Sequence, residues 1–250
     1  MKNVENTTKK DNKICIINSK APKPIIKNLE LLGYEVLLLP PLKGLASKES
    51  RHVDMQLCRI SEQEIVFAPG VDGEILTAIE KRNFTVIEGN TLLKRNYPEN
   101  IAYNVLVTDT MFLHNTKFTD SQILKKLQDG GLTPVLTKQG YSACSAIALS
   151  TKNNSTIILT GDCGIFKICR EKGIETIFCE GVENIRLAGY NHGFVGGCCG
   201  KDGKVLYTCG SFEKTFYNGR KIRDSLKKQG INVVNLWGGK LRDIGGMLIL

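Results

Sequence analysis

No run of apolar residues in this 250-residue chain approaches the roughly 18 that a membrane-spanning helix needs. The first twelve residues, MKNVENTTKKDN, also lack the apolar stretch of a secretory signal. A cytoplasmic protein with no membrane partner is the expectation, and those twelve residues read as a flexible tail. Cysteine pairs at metal-knuckle spacing are missing too. The nine cysteines stand at 15, 58, 144, 163, 169, 179, 198, 199 and 209 without a single CxxC, and the neighbours Cys198 and Cys199 cannot readily ligate one ion. Scattered through apparent strands and helices, they read as reduced, mostly buried thiols, and neither a metal nor a cofactor is expected. No GxGxxG follows a first strand, and GGCCG at 196–200 precedes no good helix, which disfavours dinucleotide binding.

What the chain does have is enough apolar material for one sizeable core, 42% of residues against 24% charged, which argues against disorder. The formal net charge of +9 permits attraction to nucleic acid or another acidic surface. The basic residues are nevertheless spread along the chain and gather on apparent helix faces such as Lys125-Lys126 and Lys227-Lys228, as solvated faces do.

The dominant signal is an internal repeat. An amphipathic helical stretch, a Gly or Asn stop and an apolar strand recur five times, in PIIKNLELLGYEVLLL, GEILTAIEKRNFTVIE, SQILKKLQDGGLTPVL, GIFKICREKGIETIFC and RKIRDSLKKQGINVVNL. The stops are Gly33, Asn83, Gly131, Gly173 and Gly230, residue types that tolerate the left-handed backbone of a helix C-terminus. An apolar strand, read as the outer strand that opens each unit, precedes every helix. These strands are 14–17, 65–67, 111–113, 157–159 and 205–207, and Asp72, Asp120 and Asp162 are the expected N-caps of helices two to four.

Each unit then passes through a polar or glycine-rich connector into a further strand. The connectors are RHVDMQL, PENIAYNVL, QGYSACSAIAL, YNHGFVGGCC and RDIGGMLIL. The fifth unit lacks a following strand and the first strand, KICIIN, lacks a preceding unit, so the N-terminal strand is expected to complete the last unit and leave no sheet edge. The predicted fold is α/β: a five-bladed β/α propeller over residues 13–250 in a single domain, with its function at the centre. A doubly wound parallel sheet is the competing arrangement.

On these five repeats, on HVD at 52–54, on the small-residue strand CSAIAL and on the C-terminal GGMLIL, the chain resembles the pentein superfamily of guanidino-group-modifying enzymes over about residues 13–250. The resemblance implies a central pore. There a cysteine thiolate attacks an amidine carbon, a histidine shuttles protons, and carboxylates hold the guanidinium through paired hydrogen bonds. Asp54 matches the place of a substrate-binding carboxylate, with His52 two residues earlier on the same side of an extended segment. Two expected residues are absent. The histidine that precedes a Ser-x-Cys-Ser pattern is replaced by Gln139, Gly140 and Tyr141 ahead of SACS, and Gly245-Gly246 is followed by Met247 to Leu250 with no cysteine.

The candidate catalytic residues are therefore Asp54, His192 and Cys144, with His52, Gln56, Glu99, Asn104, Gln139, Ser142, Cys198 and Asp243 as candidate ligand contacts. Asp54, Glu99 and Asp243 would form an acidic ring selecting a cation or an amine, and Cys144, Cys198 or Cys199 could replace the missing nucleophile if paired with His52 or His192. His114 reads as structural. The six glycines between 189 and 203 suggest close backbone approach. Two functions follow: a site for a small cationic or amide-containing metabolite, with or without amidino-group hydrolysis or transfer, and a non-catalytic, pseudoenzyme-like pentein that binds a ribosome or another macromolecule. Steep weakening by salt would mark the second.

Overall fold

The computed structural model describes residues 13–250, so the expected tail at 1–12 lies outside the described residues. Every unit begins with a strand that the sequence makes almost wholly apolar. The elements run β1 (Ile14–Asn18), α1 (Lys23–Leu31), β2 (Glu35–Leu39), α2 (Val53–Gln56), β3 (Leu57–Arg59), then β4 (Glu64–Phe67), α3 (Gly73–Glu80), β5 (Thr85–Glu88), β6 (Leu106–Val107). The third unit is β7 (Met111–His114), α4 (Ser121–Asp129), β8 (Thr133–Leu136), α5 (Ser142–Ser145) and β9 (Ala146–Ser150). The last two are β10 (Thr156–Thr160), α6 (Cys163–Glu171), β11 (Glu175–Phe178), β12 (Cys199–Asp202), and β13 (Val205–Thr208), α7 (Phe212–Thr215), α8 (Gly219–Lys228), β14 (Asn232–Asn235), β15 (Met247–Ile249).

These strands form five separate three-stranded sheets, which excludes a single doubly wound sheet. In each, the strand before the long helix pairs parallel with the one after it and antiparallel with a connector strand. The strand that opens each unit is thus central, not outer as the sequence suggested. The reason is burial: β1 is buried at every position and β10 at four of five, as a strand paired on both sides must be, whereas β2 and β5 are exposed or half-buried at every position but Leu39. The N-terminal strand does join the last unit, with Cys15 opposite Ile249 and Ile17 opposite Met247. Sheet edges nevertheless remain, because β2, β5, β8, β11 and β14 each end a sheet. Pro134, in the edge strand β8, removes a donor from one of them.

The helices repeat one packing solution. Each buries an i,i+4 pair, Ile25/Leu29, Ile75/Ile79, Ile123/Leu127, Ile165/Cys169 and Ile222/Leu226. Burying a Leu or Ile side chain contributes roughly 1.5–3 kcal/mol. In every case the second of the pair lies four residues before the predicted stop. All five stops adopt the left-handed backbone, with φ between 61° at Asn83 and 88° at Gly33. The next residue's N–H then returns to the carbonyl of the buried residue in four of the units, as in Tyr34 to Leu29 at 3.2 Å. Asp72, Asp120 and Asp162 cap their helices as expected, accepting from Glu74, Gln122 and Ile165 respectively. No helix among the described residues is long and apolar enough to cross a membrane.

The inner strands β3, β6, β9, β12 and β15 converge on one cavity of about 870 Å³, to whose wall they contribute Leu57, Leu106, Ala148, Gly200 and Leu248. The short helices α2 and α5 sit at the starts of β3 and β9 and carry the connector residues Asp54 and Ala143 to its wall.

Candidate functional site

Asp54 lines that cavity from α2, where the connector forms a single helical turn rather than the extended segment expected from the sequence. His52 precedes the turn with extended backbone, and its Nδ1 stands 4.0 Å from Asp54 Oδ1. The Asp54 N–H donates to Gly245 O at 3.0 Å, which ties the first connector to the last. Gly245, at φ +80°, lets the chain turn directly against the imidazole: a Cβ added there would stand 2.2 Å from a His52 ring carbon.

The Asp54 carboxylate is the anomaly of the site. Its side chain is 10% exposed, and both oxygens are buried without a well-formed hydrogen bond, the neighbouring Cys144 thiol acting on them only as a weak donor. Burial is the largest influence on it and pushes its pKa up to about 6, with His52 opposing the shift and the nearby Asp243 adding to it. Asp243 is also buried, but it is satisfied: its Oδ2 accepts from Phe194 N at 2.8 Å and its Oδ1 from Gly245 N at 2.9 Å. Gly197 makes room for this carboxylate, since a Cβ there would meet Asp243 Oδ1 at 2.1 Å. The glycine-rich segment therefore serves close approach, as its composition implied.

Cys144, on α5, completes the cluster. Its Sγ, an Asp54 oxygen and a His52 ring nitrogen all lie within 4.8 Å of one another. Asn104 holds the cysteine at two points: its Nδ2 donates to Cys144 Sγ at 3.0 Å, and its Oδ1 accepts from Cys144 N at 3.1 Å. The same amide donates to Asp54 O at 3.0 Å. Burial and the two acidic neighbours keep the Cys144 thiol well above its ordinary pKa, so it is protonated at neutral pH.

The other expected residues separate into four groups. His192 is half-buried, packs edge-on against Phe194 with ring centroids 5.9 Å apart, and is electrostatically linked to Asp243. Cys198 donates its S–H to Phe194 O at 3.1 Å and Cys199 lines the cavity; burial raises the pKa of both thiols. Gln56, Gln139 and Ser142 hold backbone: Gln56 Nε2 donates to Ser50 O at 2.8 Å, Gln139 Oε1 accepts from Tyr141 N at 3.1 Å, and Ser142 Oγ donates to Gln139 O at 3.0 Å. Glu99 lies outside the cluster, exposed and paired with Lys94 at 2.5 Å.

The acidic ring is therefore Asp54 and Asp243, joined electrostatically by Glu49, which sequence reasoning missed. Glu49 accepts from the Tyr190 hydroxyl and, at 3.0 Å, from Asn100 Nδ2, while Asn100 also donates to Tyr141 OH at 2.8 Å. Tyr141 stacks on Phe194 at 6.2 Å. Acids and aromatic rings are thus grouped near Asp54, a combination suited to a cation. His114 is fully buried with both ring nitrogens engaged, to Thr119 Oγ1 at 2.6 Å and Gly140 O at 3.0 Å, in the structural role expected of it.

Residues 16–248 match the model of a family described as "Family of unknown function (DUF6873)". The chain belongs to this family. A comparison with curated proteins gives no match. Among solved structures, the chain is similar to DDAH from Pseudomonas aeruginosa, a cysteine-to-serine mutant complexed with citrulline. The TM-score is 0.53 at 12% identity over 94% of this chain and 98% of that one. It is similar also to a dimethylarginine dimethylaminohydrolase adduct with S-methyl-L-thiocitrulline, at TM-score 0.52 and 11% identity, again over 94% and 98%. At such identity the likeness is one of fold, and the fold of this DUF6873 member is that of the penteins.

Proposed function

We propose that this DUF6873 chain is a closed five-unit β/α propeller that binds a small cationic metabolite bearing an amidine or amide group at the Asp54 end of its central cavity, as a divergent relative of amidino-group hydrolases and transferases. Closure is supported by the pairing of β1 with β15 and by the five inner strands that share one cavity. The binding reading rests on one observation: two carboxylate oxygens of Asp54, buried and without a well-formed hydrogen bond. A buried carboxylate is costly until a cation supplies its missing hydrogen bonds, and a guanidinium or amidinium presents two parallel N–H groups to two oxygens. The ligands of the structural neighbours, citrulline and S-methyl-L-thiocitrulline, agree with a site for that class of group.

The geometry favours binding over turnover. Asp54 cannot clamp a cation and at the same time hold the Cys144 proton, and Cys144 is a thiol at neutral pH. Asp243 and Glu49 add negative potential, and Phe194 and Tyr141 offer ring faces to the organic part of the ligand.

Thermal melts against guanidino compounds, amino acids and polyamines, in excess chelator, test this reading. A ligand at about 100 times its Kd should add about 2.7 kcal/mol, roughly 5–10 °C in a protein of this size. The Asp54→Asn variant should lose the shift and His192→Ala should weaken it. A panel with no response, or a shift that survives in Asp54→Asn, contradicts the reading.

A further inference from the structure

Two of the groups around Asp54 are ligands for a soft divalent cation. His52 Nδ1 is 4.0 Å from Asp54 Oδ1, and with Cys144 Sγ the three donors fall within 4.8 Å. Donors around a tetrahedral zinc, at bond lengths of about 2.0–2.3 Å, lie roughly 3.3–3.6 Å apart, so the widest pair has to close by little more than about 1 Å.

Three observations carry the site beyond proximity. Asp54 is nine-tenths buried, faces the imidazole and the thiol, and leaves both oxygens without a well-formed hydrogen bond. Asn104 fixes the position of the sulfur, its Nδ2–H donating to Cys144 Sγ at 3.0 Å while its Oδ1 accepts from Cys144 N at 3.1 Å. The donors also come from two different units, His52 and Asp54 from the first connector and Cys144 from the third, so the fold itself assembles them.

We propose that His52, Asp54 and Cys144 form a zinc site whose fourth position opens to the cavity that Asp54 lines. The donor set, one nitrogen, one carboxylate and one sulfur, suits zinc and its cobalt surrogate and not the oxygen-seeking calcium or magnesium. Three protein ligands with an open fourth position is the arrangement of a reactive rather than a purely structural zinc. As the Zn–S bond forms, the Cys144 S–H bond breaks and its proton passes to the buffer, while the sulfur keeps the electron pair that it donates to the metal. This goes beyond the organic-cation reading and does not rest on it. The two occupants exclude one another, because both need the Asp54 oxygens.

The test uses the full chain, reduced and stripped with chelator, titrated with Co²⁺ alone and then with Zn²⁺. The expected result is a near-ultraviolet thiolate-to-cobalt band together with intense tetrahedral visible bands, all abolished by Zn²⁺. Cys144→Ser should lose the near-ultraviolet band. Asp54→Asn should keep the band but bind Co²⁺ at least about 10–100-fold more weakly, and Asn104→Ala should weaken binding by a similar factor. Cys163→Ser, at the exposed cysteine, should behave as wild type. Should Cys144→Ser fail to fold, the Asp54→Asn affinity decides the question. No band in the wild type, a band that persists in Cys144→Ser, or an unchanged affinity in Asp54→Asn overturns the proposal. Because the organic-ligand melts run in excess chelator, either reading can fail without the other.

Discussion

Asp54→Asn is expected to stabilise the ligand-free, chelator-treated protein at pH 7 by about 1–2 kcal/mol. The carboxylate carries its folded-state pKa up to about 6 from an ordinary 3.8, chiefly because it is buried. The folded state therefore binds the proton more tightly than the unfolded chain does. Its contribution is fully present below pH 3.8 and is lost as the pH rises through about 6, a loss of about 3 kcal/mol at 1.36 kcal/mol per unit. An asparagine never ionises and escapes that loss, but its amide is buried without partners too, which takes back on the order of 1–2 kcal/mol. Urea titrations at pH 7 and pH 4 should show the variant ahead at the higher pH and level or behind at the lower. A variant less stable than wild type at pH 7 would mean that Asp54 already has a partner in the folded protein.

Acid should destabilise the wild type through His114, in the opposite direction. The ring is fully buried and neutral, and burial lowers its pKa to about 4 from 6.5. The unfolded chain then takes up a proton that the folded chain refuses. The His114 contribution is intact above pH 6.5 and is lost as the pH falls towards 4, by about 3 kcal/mol. His114→Gln, which can retain one of the two hydrogen bonds, should start less stable and show a flatter acid limb between pH 6.5 and 4. The two effects overlap between about pH 4 and 6 and partly cancel. Asp54→Asn should therefore be steeper on its acid side than the wild type. An acid limb in His114→Gln as steep as in wild type would assign the effect to other groups.

Much of the architecture was legible because it is written in local chemistry. A glycine or asparagine four residues after a buried Leu, Ile or Cys marks each helix end, and an Asp marks three helix starts; both are short-range signals. The place of each strand within its sheet was not legible. Whether 14–17 is central or outer depends on what pairs with it, and its partner β15 lies at the other end of the chain. The site shows the same division. Asp54, His52, Cys144, Asn104 and Asp243, which the structure brings together, stand out in the sequence as polar connector residues against apolar strands. The expected contact Glu99 is an exposed ion-pair partner of Lys94, while the next residue, Asn100, stands beside Glu49. Glu49 and Tyr190 could not be found this way. They meet across 141 residues of chain, in loops without periodicity, and only the tertiary fold brings them together.

Cation binding at Asp54 is tested most directly by a crystal structure of the protein grown, in chelator, with whichever guanidinium- or amidinium-bearing compound gives the largest thermal shift. The planar cation is expected to lie against Asp54, with its two N–H groups on Oδ1 and Oδ2 and its organic part towards Phe194 and Tyr141. A ligand held elsewhere on the molecule, with the Asp54 oxygens still unpartnered, would contradict it.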